Sequence, residues 1–141
     1  MPRERLSKPA RSSNSAEVRV FKLDYDAVMA KVRDYARKLV DGGLAELVVL
    51  IGSLAKGTYT PFSDIDLVIV VRESAEKPVD RIPRYIDPSL PLDVEPLVFT
   101  VDEFIQTLRT KPLFAAEVAE NGLFLAGDRS MLQKTAEPSR S

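Results

Sequence analysis

Three short apolar runs constrain this chain most: "AELVVLIGS" at 45–53, "SDIDLVIVVRE" at 63–73 and "LPLDVEPLVFT" at 90–100. Apolar runs without polar alternation are the pattern of strands covered on both faces, and helical patterns around them require a sheet with helices packed on it. The third run carries Pro91 and Pro96, which lack the N–H that a sheet ladder needs, so it reads as a strand with incomplete pairing or one toward an edge.

The surrounding segments supply the helices. A short "VRVFKL" segment precedes Asp24, which can cap a helix in which Val28, Val32, Tyr35, Ala36 and Leu39 recur at helical spacing and which Gly42 and Gly43 close. Thr100 and Glu103 form a capping box ahead of "VDEFIQTLRT", Pro112 restarts a helix through "LFAAEVAEN", and Gly122 ends it before a short "LFLAG" run. The expected class is α/β (α+β), a small mixed β-sheet with helices mainly on one face. One domain over residues 17–128 is expected, between a disordered basic arm at 1–16 and a disordered polar tail at 129–141, with no internal repeat.

Composition narrows the chemistry. The 141 residues contain no cysteine and no histidine, which excludes disulfides, Cys or His metal sites, imidazole acid–base catalysis and Ser-His or Cys-His nucleophiles. A net charge of -1 gives no global field for nucleic acid or an anionic membrane, so no strong nucleic-acid signal is present. The apolar runs fall short of the roughly 18 residues that span a bilayer, and no apolar segment follows the N-terminal charges. A cytoplasmic protein is expected.

The stretch "GSLAKGTYTPFSDIDLVIV" at 52–70 carries the chemistry that remains. Gly52 and Ser53 end an apolar run, and "SLAKG" has room for one helical turn, whose N–H groups would face an anion. Gly52 allows close approach to the main chain, Ser53 adds a hydroxyl, and Lys56 adds a charge. Asp64 and Asp66, two apart in a strand, project on one face about 6.6 to 6.8 Å apart along the chain, with Ser63 as a turn or cap residue before them. Two ionised carboxylates where a buried strand emerges repel each other and lose hydration, unless a cation or donors compensate. Hard oxygen ligands suit Mg²⁺ or Mn²⁺. The neighbouring run adds Asp93, with Glu95 two residues on and facing the same side. Carboxylates from two adjacent strands are the arrangement that holds two metals for in-line phosphoryl or nucleotidyl displacement, and Asp93 could also take the proton of an attacking hydroxyl.

The pattern Gly-Ser, a small residue, a basic residue, Gly, then Ser-Asp-x-Asp-Leu resembles the signature of the DNA polymerase beta-like nucleotidyltransferase superfamily, over about residues 24–128. Within it, the chain is most similar to the minimal nucleotidyltransferases, which include antitoxins paired with helical HEPN-type ribonuclease toxins. The resemblance implies Gly52, Ser53, Lys56, Gly57 and Ser63 at the nucleotide, Asp64 and Asp66 on the metals, and Asp93 as third ligand and base. Lys56 stands where such proteins often carry Arg, so the bidentate fork is missing. The implied activity is Mg-dependent transfer of a nucleoside monophosphate, AMP from ATP, to an acceptor hydroxyl. The implied partner is a HEPN-type protein or a second copy of the chain, because no additional substrate-binding domain is visible. The competing reading is an antitoxin-like subunit that neutralises its partner by docking without catalysis, for which Phe114 and Phe124 offer apolar surface unless they belong to the core.

Overall fold

The computed structural model describes residues 14–132. Its contacts divide the chain into two compact units, Met1–Lys31 and Val32–Ser141. The described part of the first unit is helical and belongs to α1 (Asn14–Asp41). That helix starts well before Asp24, so the "VRVFKL" segment is helical and Asp24 is an interior residue. The physical reason is that "NSAEVRVFKLDYDAVMAKVRDYARKLVD" contains no Gly or Pro to interrupt it. The last three residues of the arm expected at 1–16 are therefore helical, and residues 1–13 lie outside the described residues.

In the second unit, Val32, Ala36 and Leu39 of α1 are buried, at the spacing that marked them as one helical face. The helix closes where Gly42 and Leu44 return their N–H groups to the carbonyls of Lys38 and Leu39. Then follow β1 (Leu47–Ile51), the short helix α2 (Gly52–Lys56), β2 (Ile65–Val71), α3 (Pro78–Arg81) running into a 3₁₀ turn at Ile82–Tyr85, and β3 (Val94–Thr100). The chain ends in α4 (Val101–Thr110), α5 (Pro112–Ala116) running into a π turn at Glu117–Asn121, and β4 (Leu123–Gly127).

The four strands form one mixed sheet in the order β3-β2-β1-β4. β1 is antiparallel to both β2 and β4, while β2 and β3 are parallel. The continuously apolar runs take the two central places, and every residue of β1 is buried. β3, which contains Pro96, is an edge, and Pro91 lies before it. On one face Leu47, Val49, Ile51, Val68 and Val70 pack with Phe104 of α4 and Val118 of the π turn. Val48, Leu50, Ile65, Leu67 and Ile69, which alternate with them, are closed to solvent as well. The absence of polar alternation thus reports two covered faces.

Phe114 and Phe124 are partly buried and pack against this core, with Phe99 and Phe114 ring centroids 5.6 Å apart. Their role is packing, and the apolar side chains that stand out in solvent are others, above all Phe62 and Leu113. Met131 and Leu132 also rest on the core, so the tail expected from residue 129 is anchored at its start. Residues 133–141 lie outside the described residues.

Two local devices hold the β3 edge. The Thr100 hydroxyl accepts from Glu103 N–H while the Glu103 carboxylate accepts from Thr100 N–H, which is the capping box expected for α4. The same carboxylate takes both Nη groups of buried Arg81, at 2.6 and 3.1 Å, and Arg81 also donates to the Val98 carbonyl on β3. A helix cap, an edge strand and the β2–β3 crossover are thereby tied to one guanidinium.

Candidate functional site

The site forms where β1 ends and β2 and β3 begin. Ile51, the last residue of β1, is in register with Asp66, and Asp66 is in register with Glu95 on the other side. Asp66 therefore stands mid-sheet, flanked by the start of the α2 loop and by a carboxylate of β3. Parallel strands in register place paired side chains on one face, so Asp66 and Glu95 share it. Asp64 lies just outside β2 and is exposed.

Gly52 meets Asp66 directly. Its φ is +80°, and a Cβ built on it would lie 2.2 Å from Asp66 Oδ2, so both backbone conformation and space require glycine there. Gly57 (φ +82°) ends α2 in the left-handed conformation and returns its N–H to the Ser53 carbonyl. The loop between α2 and β2 is fastened to this turn through hydroxyls. Ser53 Oγ donates to Ser63 Oγ at 2.8 Å, and Ser63 Oγ also accepts from Thr60 N–H at 2.8 Å. Gly52, Ser53, Gly57 and Ser63 are thus brought together beside the carboxylates.

Burial, followed by the charges of Asp64, Glu95 and Glu117, pushes the Asp66 carboxyl above its ordinary value. Three of these four carboxylates belong to the two runs that the sequence pattern singled out. Glu117 does not: its Oε2 accepts from Gly52 N–H at 3.1 Å, and its Oε1 lies 3.8 Å from Lys56 Nζ. Lys56 is accordingly paired within the site. Sequence reasoning missed Glu117 because it reads as one polar residue of an amphipathic helix. The available signal was its place three residues after Phe114, which puts it on the same face of the helix.

Asp93 is exposed and precedes β3, where its carbonyl accepts from Ile65 N–H at 2.7 Å and so starts the β2–β3 ladder. Glu95, two residues on, is the acidic side chain of β3 that stands opposite Asp66. Among the described residues, no three acidic side chains converge tightly enough to hold a metal ion by themselves. The chemistry of the donor set nevertheless fits a hard divalent cation: all donors are carboxylate oxygens, and their mutual repulsion at Asp66 is what a cation would relieve.

The profile of the nucleotidyltransferase domain family matches residues 29–120, well over half of the chain and the whole of this site. The chain belongs to the nucleotidyltransferase domain family. Its enzyme class follows from that membership. The fold is also similar to a chain in the crystal structure of a toxin-antitoxin with AMP-PNP, at 19% identity over 74% of this chain and 83% of that one, with a TM-score of 0.53. A looser likeness, TM-score 0.41 at 16% identity over 82% of both chains, is to a structure of a tri-AMPylated Shewanella oneidensis HEPN toxin in complex with an MNT antitoxin. The search of curated proteins finds no match. Among the described residues no helix is long and apolar enough to cross a membrane.

Proposed function

We propose that this nucleotidyltransferase transfers AMP from ATP to a hydroxyl on a partner protein, in the manner of an antitoxin acting on a helical HEPN-type toxin. The observation that carries the reading is the meeting of Gly52 with Asp66. A glycine turn that admits no Cβ abuts the carboxylate at the centre of an acidic cluster, so a phosphate held by the turn would lie beside a group whose charge a cation would relieve. The toxin-antitoxin with AMP-PNP, similar in fold, supports the choice of nucleotide and of partner class.

In this reading Gly52 and Ser53 face the triphosphate, Ser63 holds Ser53 in place, and Gly57 ends the turn so that the loop keeps its shape. Asp64 and Asp66 would hold Mg²⁺ or Mn²⁺, with the third carboxylate supplied at the mouth of β3 by Asp93 or by Glu95. Bound there, the cation would neutralise phosphate charge and draw the triphosphate toward the carboxylates. The acceptor oxygen attacks the α-phosphorus, the bond to the bridging oxygen breaks, and pyrophosphate leaves with the electron pair. The acceptor proton passes to a carboxylate, for which Asp93, exposed at the rim, is the proposed base.

The reading is tested by calorimetric titration with Mg-ATP. The Ser53 hydroxyl, which donates to Ser63 Oγ in the free protein, would turn its proton to the phosphate on binding. Ser53→Ala removes that donor and should weaken binding about tenfold to a hundredfold, the equivalent of ~1.5 to 3 kcal/mol for a charge-assisted hydrogen bond. Unchanged affinity in Ser53→Ala would make the loop a structural turn.

A further inference from the structure

Glu117 holds groups that the nucleotide reading reserves for phosphate. Its Oε2 takes the Gly52 N–H at 3.1 Å, its Oε1 faces Lys56 Nζ at 3.8 Å, and Asn121 Nδ2 donates to the same Oε1 at 3.5 Å. An N–H carries one proton and serves one strong acceptor at a time, so a phosphate oxygen on Gly52 and the Glu117 carboxylate exclude each other. We propose that Glu117 is a built-in competitor for the phosphate position: its carboxylate occupies the loop in the free protein, and a nucleotide enters by displacing it. This rests on the reading of residues 52–57 as the nucleotide loop.

Three features argue against a purely structural cap. First, Glu117 adds to the negative charge that already bears on Asp66 from Asp64 and Glu95, where a neutral Gln could accept the same N–H without that repulsion. Second, its side chain retains 25% exposure, so a rotation into solvent is open to it. Third, it opens a π turn, Glu117–Asn121, a widening of the helix of the kind found frequently at functional sites. The consequence is selectivity by charge. A ligand with several phosphates and an accompanying cation replaces the carboxylate at both Gly52 and Lys56, whereas a nucleoside offers nothing in exchange.

Titration calorimetry of the parent, Glu117→Ala and Glu117→Gln against Mg-ATP, Mg-ADP and adenosine tests this. Glu117→Ala should bind Mg-ATP about threefold to thirtyfold more tightly than the parent, Mg-ADP with a smaller gain, and adenosine without gain. Glu117→Gln should fall between, since its carbonyl still accepts from Gly52 but carries no charge, and it decides the matter if the alanine variant fails to fold. Equal or weaker Mg-ATP binding by the folded variants, beside a parent that binds, overturns the competitor role and leaves the nucleotide reading standing. An equal gain for adenosine overturns it too, because the loop would then have loosened without regard to charge. A parent that binds no nucleotide removes the nucleotide reading and the inference together.

Discussion

At Asp66 burial and three neighbouring carboxylates act in one direction, so the folded state disfavours its ionised form. The raised folded value means the penalty is absent below the unfolded value, near 4, and fully present once pH passes the folded one. Asp66→Asn should therefore melt higher than the parent at pH 7, and the difference should shrink to nothing as pH falls below about 4 in a series of thermal melts without divalent cation. Gly52→Ala should behave in the opposite way. Its φ of +80° and the 2.2 Å approach to Asp66 Oδ2 both penalise a methyl, so a loss of ~1 to 3 kcal/mol in chemical denaturation should accompany loss of Mg-ATP binding. At this scale the sequence was legible wherever residue type and spacing decide geometry: Gly52, Ser53, Asp64 and Asp66 lie in one short stretch. Glu117 reaches the same site from 65 positions beyond Gly52, and only the fold brings it there.

Among the elements, α4 and β3 carry the clearest tests. The Arg81 guanidinium and the Thr100 backbone hold the Glu103 carboxyl down to about 2. A depressed carboxylate stabilises above its unfolded value and loses that contribution as pH falls through the folded one, so the window lies between about 4.5 and 2. Acid unfolding followed by circular dichroism should show the parent losing stability across that window more steeply than Glu103→Gln. β3 poses the question of the third carboxylate. Glu95 is in register with Asp66, and Asp93 is two residues earlier at the exposed rim. If the proton acceptor is Asp93, Asp93→Asn should leave Mg-ATP affinity within about threefold while abolishing transfer, whereas Glu95→Gln should weaken Mg-ATP binding. The reverse pattern, read by titration and by label transfer, assigns the roles the other way. β1, β2, β3, the capping box and the place of β3 toward an edge were readable from local pattern, whereas β4 was legible only as a short apolar run. The start of α1 was not, since Asp24 is a good cap residue that also sits without strain inside a helix that nothing interrupts.

For the molecule as a whole, the sheet order and the mixed pairing follow from chain connectivity that no single segment encodes, and they determine which carboxylates meet. The antiparallel β1–β2 pair sets Ile51 against Asp66, and the parallel β2–β3 pair adds Glu95. The family profile spans β1, β2, β3 and the site, so the enzyme class is settled at this scale, while the acceptor belongs to the proposal. The most direct test incubates the protein and a protein captured with it from its own cells with Mg²⁺ and ATP labelled at the α-phosphate. Label should move to the captured protein, its intact mass should rise by whole AMP units, and Asp66→Asn should transfer none. Absence of label with the parent, or equal labelling by Asp66→Asn, would contradict nucleotidyl transfer at this site.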